Sequence, residues 1–147
     1  MAQTNSAMEK INQDTVSSIM TPDVHVIQEN TPLQDVVRLF RKLNIRHVPV
    51  VSGVKVIGII SRTDINRLTF GALIENQEDA DEVILEMLNV SQVMAAKPKS
   101  ITSSASIKEL AEIFVKQEYH AIPVIDNDEL VGIVTTTDVI EYLLTKL

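Results

Sequence analysis

Apolar and polar positions alternate along this chain in two rhythms, and each rhythm occurs twice. Leu33, Val36, Val37, Phe40 and Leu43 recur at helical spacing, so residues 31–44 are predicted to form an amphipathic helix. Ile107, Leu110, Ala111, Phe114 and Val115 do the same for residues 106–118. Thr31, Pro32 and Gln34 suit a capping box with proline at the first helical position, and Ser106 with Glu109 has the same spacing. A short apolar stretch before each helix, residues 24–27 and 100–101, suits a brief strand. After each helix come two β-rich runs. These are residues 47–51 and 55–60 around Ser52-Gly53, and residues 121–125 and 130–134 around Asp126-Asn127-Asp128. The intervening residues are turn formers that tolerate positive φ or bond their own backbone. Second helices are predicted at residues 62–70 and 136–144. Runs as uniformly apolar as residues 54–60 fit strands covered on both faces.

The order β-α-β-β-α therefore appears twice, and the two copies align without a gap at an offset of 74 from residue 16 to residue 68. Val16-Ser17, Met20, Ile27, Phe40, Lys42, Pro49-Val50, Gly58-Ile59 and Thr63-Asp64 match Val90-Ser91, Met94, Ile101, Phe114, Lys116, Pro123-Val124, Gly132-Ile133 and Thr137-Asp138. A copy of about 55 residues has a marginal core alone, so the two are expected to bury each other's faces as one pseudo-symmetric unit. The organisation reads as an N-terminal tail (residues 1–15), repeat 1 (16–70), an acidic connecting segment (71–89) and repeat 2 (90–147). Within the connecting segment, residues 79–88 place Ala80, Val83, Ile84, Met87 and Leu88 on one helical face. That helix either caps the core or offers a surface to another subunit or partner.

Composition narrows the chemistry. The chain has 147 residues and no cysteine, which excludes disulfides, thiolate metal sites and a cysteine nucleophile. Aromatic residues are 3% and tryptophan is absent, so the core is built from Ile, Val, Leu and Met. No apolar run reaches the roughly 20 residues that span a bilayer, and residues 1–10 lack a signal-peptide pattern, so a cytoplasmic location is expected. The net charge of −7 is uneven: +3 over residues 16–68, −6 over 69–89 and −4 over 90–142. Overall acidity makes nucleic acid an unlikely partner, while the basic excess of the first half favours a small anion there. His25, His47 and His120 show no metal-ligand spacing, no serine lies in a nucleophile elbow, and there is no P-loop. No metal, required cofactor or catalytic residue is expected.

Two junctions stand out: Gly58-Ile59-Ile60-Ser61-Arg62-Thr63-Asp64 and Gly132-Ile133-Val134-Thr135-Thr136-Thr137-Asp138. Each lies where a buried strand hands over to a helix. Ser61 with Asp64, and Thr135 with Asp138, have capping-box spacing, which alone accounts for both. A carboxylate beside free helix amides also suits the vicinal hydroxyls of a ribose, with an anion alongside, and glycine lets backbone or ligand approach closely. A second cluster, Ile45-Arg46-His47-Val48-Pro49-Val50, pairs with Tyr119-His120-Ala121-Ile122-Pro123-Val124. Proline there points to a strand start or edge, where an apolar slot for a purine could open. Arg46, His47 and His120 are either a solvated rim or a phosphate clamp.

The duplicated unit, its apolar-x-Pro-Val strand and its Gly-apolar-apolar-Ser/Thr-x-x-Asp junction resemble the CBS domain, named from cystathionine β-synthase. The resemblance spans about residues 16–144 and implies an α+β fold of two tandem β-α-β-β-α repeats packed as a pseudo-two-fold pair. It implies that AMP, ADP, ATP or S-adenosylmethionine binds in clefts between the repeats. Asp64 and Asp138 would hold ribose, and Ser61, Thr63, Thr135 and Thr137 would support sugar or phosphate. Ile45, Val48 and Pro49 would line one adenine pocket, and Tyr119, Ile122 and Pro123 the other. Arg46, His47 and His120 would face phosphates. Arg62 stands where the second copy has Thr136, and Ala121 where the first has His47, so the second site would hold phosphate less tightly. A homodimer and an unknown protein effector are implied as partners. The alternative is a ligand-free scaffold that serves dimerisation only.

Overall fold

The computed structural model describes residues 2–69 and 85–147, so most of the predicted connecting helix at 79–88 lies outside the described residues. The described elements run α1 (Ala2–Gln13), a 3-10 turn at Val16–Ser18, β1 (Ile27–Gln28), α2 (Leu33–Lys42), β2 (His47–Ser52), β3 (Lys55–Ser61) and α3 (Arg62–Thr69). They continue with α4 (Val90–Val93), β4 (Ala95–Ala96), α5 (Ile107–Lys116), β5 (Ala121–Asp126), β6 (Glu129–Thr135) and α6 (Thr136–Lys146). Mixed α+β architecture agrees with the hydrophobic pattern, as does the succession of helix, hairpin and helix in each repeat; the brief strand expected before it is Ile27–Gln28 in repeat 1 and a lone bridge at Ile101 in repeat 2. The expected tail is largely helix α1.

The chain divides into two compact units, and their limits differ from the repeats. One is His25–Pro98; the other joins Met1–Val24 to Lys99–Leu147. The first holds a four-stranded sheet in the order β1-β2-β3-β4, with β1 parallel to β2 and the other pairs antiparallel. Its last strand, β4, belongs to repeat 2, and Ala95 and Ala96 pair with Ile59 and Gly58. The second unit mirrors this. Ile101 bridges Val124 in parallel, β5 pairs with β6, and Thr21 of repeat 1 bridges Ile133. Each repeat thus lends its opening segment to the other repeat's sheet. Val16 and Val90, one from each opening segment, have no exposed surface and belong to the core of the receiving unit.

The lent segment explains the glycines of the two junction motifs. A Cβ on Gly58 would collide with the Met94 thioether, whose Cγ would lie at 2.8 Å, and would stand 3.1 Å from the Ala95 carbonyl oxygen. A Cβ on Gly132 would lie 2.7 Å from Met20 Sδ and 2.9 Å from the Thr21 carbonyl oxygen. Close approach is the reason for glycine, as expected, but what approaches is the lent strand and its methionine rather than a ligand.

Both hairpins close through two-residue loops and carry a bulge at the same place, between Val50 and Val51 and between Val124 and Ile125. Gly53 takes positive φ in one loop, and Asn127 with Asp128 in the other. Each hairpin end is latched by a hydroxyl and a carboxylate, with the two roles exchanged between copies. Ser52 donates to Glu29 at 2.8 Å in the first, and Ser103 donates through hydroxyl and amide to Asp126 in the second. These Ser103 contacts hold the Asp126 carboxyl below its ordinary value.

Three local expectations fail for identifiable reasons. Helix α2 begins one residue later than predicted: Pro32 is its N-cap, with no side-chain cap bond, so the Thr31–Gln34 box does not form. A prolyl nitrogen has no hydrogen to leave unsatisfied, so this end tolerates the loss. Ser106 does cap α5, accepting from Glu109 N–H at 3.1 Å. Val115 is 87% exposed, and Ile113 packs on the core in its stead. Pro49 is a strand interior, not a start or edge. It sits between β3, where it faces Ile59, and a β1 so short that it meets only Val50 and Val51. Arg62 N–H bonds the Arg46 carbonyl at 2.8 Å, so by antiparallel alternation Pro49 and Ile59 form a non-bonded pair and the missing donor leaves no gap in the β2–β3 ladder.

Candidate functional site

Each junction lies wholly within one compact unit. At the first, β3 runs into α3. The Ser61 N–H donates to Asp64 Oδ2 at 3.0 Å, and the Asp64 N–H donates to Ser61 Oγ at 3.0 Å. At the second, β6 runs into α6. The Thr135 N–H donates to Asp138 Oδ2 at 2.8 Å, and the Asp138 N–H donates to Thr135 Oγ1 at 3.1 Å. Both are reciprocal capping boxes, which satisfy two orphan amides at each helix start. The carboxylates therefore fold back on their own helix ends, as capping-box spacing alone would have them. They are not wholly consumed. Both residues are half-buried, and Oδ1 of each accepts no hydrogen bond among the described residues. The box fixes the side-chain rotamer and leaves one oxygen per site as an oriented acceptor. Thr63 and Thr137, one residue before each acid, are exposed.

The strand pleat sorts the remaining candidates. Cross-strand partners share a face, so His47, Pro49, Ile59 and Ser61 lie on one face of β2–β3, and Ala121, Pro123, Ile133 and Thr135 on one face of β5–β6. Val48 and Ile122 point the other way. Both have no exposed surface and sit in the hydrophobic cores, with Val50 and Ile60 and with Val124 and Val134 respectively. Their expected place in an adenine-lining wall is corrected: the period of two sends them to the core while their neighbouring prolines share a face with Ser61 and Thr135. Pro49 and Pro123 are buried; Ile45 and Tyr119 are half-buried and pack at the rim of the same cores.

The basic candidates divide in the same way. Arg46 and His120 are exposed, and among the described residues neither side chain has a hydrogen bond or ion pair; His47 is half-buried opposite Ser61. Their backbones are fixed beside the junctions, since Arg46 O accepts from Arg62 N–H at 2.8 Å and His120 O from Thr136 N–H at 3.0 Å. Arg62 is committed elsewhere. Its guanidinium donates to the carbonyls of Phe40 at 2.6 Å, Leu43 at 3.2 Å and Ile45 at 3.1 Å, and lies 5.6 Å from the centroid of the Phe40 ring. It fills the C-terminal end of α2, where carbonyls lack intrahelical partners. Sequence reasoning read Arg62 as a change at the ligand side; only the fold reveals that it is a helix staple. Another contact missed by sequence ties the N-terminal region to the last helix: Tyr142 OH donates to Asp14 Oδ2 at 2.6 Å, across 128 residues. Burial first, then the Asp14 hydrogen bond and charge, push the Tyr142 phenol up to about 12.

Comparison with known proteins follows the same duplication. The CBS domain family matches residues 16–70 and 90–145. The protein MJ1225 of Methanocaldococcus jannaschii is 32% identical over 139 residues, 92% of this chain, and the chain spans 49% of that relative's length. The crystal structure of MJ1225 superposes with a TM-score of 0.74 at 26% identity, over 95% of this chain and 51% of that one. AcuB from Vibrio cholerae gives a TM-score of 0.70 at 28% identity over 89% and 90% of the two chains. CBSX2 from Arabidopsis thaliana gives 0.75 at 25% identity over 90% and 95%. With a family match to both copies, over more than half of its length, this chain belongs to the CBS domain family.

Proposed function

We propose that this chain is a regulatory module that binds adenosine-containing ligands at its two strand-to-helix junctions and signals through a change in conformation or association. The observation that carries this is the paired carboxylate: at both junctions an acid held by the last amide of the preceding strand keeps one oxygen that accepts no hydrogen bond among the described residues, an acceptor prepared for a ribose hydroxyl. Ser61, Thr63, Thr135 and Thr137 would supply further hydrogen bonds, Pro49 and Pro123 a flat apolar surface, and Arg46, His47 and His120 contacts to a 5′ substituent. CBSX2 has been crystallised with AMP, and MJ0100 with 5′-methylthioadenosine and S-adenosyl-L-methionine, which supports adenosine as the common chemistry. Output would follow from unequal affinity of the ligand for two arrangements of the chain. A second copy would cover the exposed residues Ile140, Leu143, Leu144 and Leu147, which follow i, i+3, i+4, i+7 spacing at the end of the chain. Among the described residues, no helix is long and apolar enough to cross a membrane.

Thermal denaturation with AMP, ADP, ATP, 5′-methylthioadenosine and S-adenosylmethionine tests this directly. A ligand at 100 times its dissociation constant stabilises by about 2.7 kcal/mol, a shift well outside error. Mass spectrometry of the denatured, purified protein is expected to find a co-purified member of the same class. A melting temperature unmoved by every one of these ligands would favour the scaffold reading instead.

A further inference from the structure

The two junctions share a backbone and differ in charge. Arg46 and His120 occupy equivalent places, each pinned through its carbonyl to the first amide of the following helix. One turn beyond each acid the charge reverses, with Arg67 after Asp64 and Glu141 after Asp138. All four of these side chains are exposed and, among the described residues, make no hydrogen bond or ion pair. The Arg62 guanidinium is bound to the α2 carbonyls and Arg38 pairs with Asp35, so both of these cations are engaged. Of these equivalent positions, Arg46, Asp64 and Arg67 carry a formal charge of +1 at the first junction, and His120, Asp138 and Glu141 carry −2 at the second, histidine being counted as neutral.

We propose that the two sites sort adenosine ligands by the charge of the 5′ substituent. This rests on the ligand-binding reading above. The Arg46–Asp64 site takes a 5′-phosphorylated nucleotide, and the His120–Asp138 site takes an adenosine without phosphate, whose 5′ substituent is neutral or cationic. A phosphate monoester carries nearly two negative charges at neutral pH and pairs with arginine through charge-assisted bonds. At the second site the same phosphate meets Glu141 beside Asp138, and like charges at close range repel. A thioether is indifferent to that field and a sulfonium is attracted by it. One chain could then report two metabolite classes, the first with strong salt dependence and the second with little.

AMP and 5′-methylthioadenosine differ only in the 5′ substituent, so they are the probes. Isothermal titration of the full chain at low salt is expected to give one AMP per chain. Arg46→His with Arg67→Glu should weaken AMP roughly tenfold or more while 5′-methylthioadenosine changes less than about twofold. His120→Arg with Glu141→Arg should add a second AMP equivalent. The altered side chains are exposed, so both variants should keep the wild-type melting temperature, which separates lost binding from lost folding. Equal weakening of both probes in the first variant, unchanged AMP binding in it, or two equal AMP sites in the wild type would overturn the division by charge. Binding of neither probe by the wild type would overturn the ligand-binding reading as well, which is a distinct result.

Discussion

Gly132→Ala isolates the exchange of opening segments, on which both compact units depend. The added Cβ would stand 2.9 Å from the Thr21 carbonyl oxygen and 2.7 Å from Met20 Sδ, where carbon contacts prefer about 3.5–4.0 Å. A thioether can swing aside, but the carbonyl belongs to backbone whose N–H and C=O both bond Ile133, at 2.9 and 3.0 Å. Relief therefore requires the lent strand to move, and overpacking of this kind costs about 1–3 kcal/mol. For a chain of this size that corresponds to a loss of roughly 2–12 °C in melting temperature. Gly58→Ala supplies the internal contrast. There the nearest obstacle is the Met94 side chain, and the Ala95 carbonyl is further away, at 3.1 Å. Truncating Met94 to Ala should relieve much of the Gly58→Ala penalty, whereas Met20→Ala should relieve little of the Gly132→Ala penalty. Urea denaturation of the two double-mutant cycles reads this difference as unequal coupling energies. If Gly132→Ala costs less than about 0.5 kcal/mol, or if Met20→Ala restores it fully, the lent strand is not packed as described.

Three further outcomes follow from named contacts. Arg62→Met should destabilise the chain by about 1–3 kcal/mol by leaving partly buried carbonyls unpaired, and Arg62→Lys should recover only part, since an ammonium lacks the Nε donor to Ile45 and the planar group over the Phe40 ring; chemical denaturation checks both. Tyr142→Phe should flatten the alkaline limb of the stability profile. The folded phenol sits at about 12 against an ordinary 10.0, so its contribution is complete below pH 10 and disappears as pH rises through 12, a window read by melting scans. Thr135→Ala should cost about 1 kcal/mol through loss of the α6 cap, measured as a fall in urea midpoint at unchanged slope.

Most of the secondary structure was legible because each element is set by near neighbours in sequence. The 74-residue repeat, the two hairpins and the apolar faces of α2 and α5 all follow from periodicity, and both junction capping boxes follow from a three-residue spacing. What was not legible is long-range. Nothing local marks Met20 as the side chain that fills the notch at Gly132, although the 74-residue offset carries the same pair at Met94 and Gly58. Arg62 looks like any surface cation until α2 is placed with its open carbonyls beside it. Pro49 misleads because a proline is normally confined to edges, and here a two-residue β1 leaves its nitrogen side unpaired within the sheet. Val48 and Ile122 were assigned to the ligand side by motif; the pleat, which is local information, would have sent them to the core.

In the proposed complex an adenosine moiety docks against the Asp64 and Asp138 oxygens that accept no hydrogen bond among the described residues. Backbone amide NMR during titration with AMP and then 5′-methylthioadenosine tests it at residue level. The largest shifts should cluster at Ser61–Asp64 and Thr135–Asp138, with the amides of Arg46, His47 and His120 responding alongside, and Asp64→Asn and Asp138→Asn should each silence one cluster. Saturable binding whose shifts fall elsewhere, and which both substitutions leave intact, would contradict it.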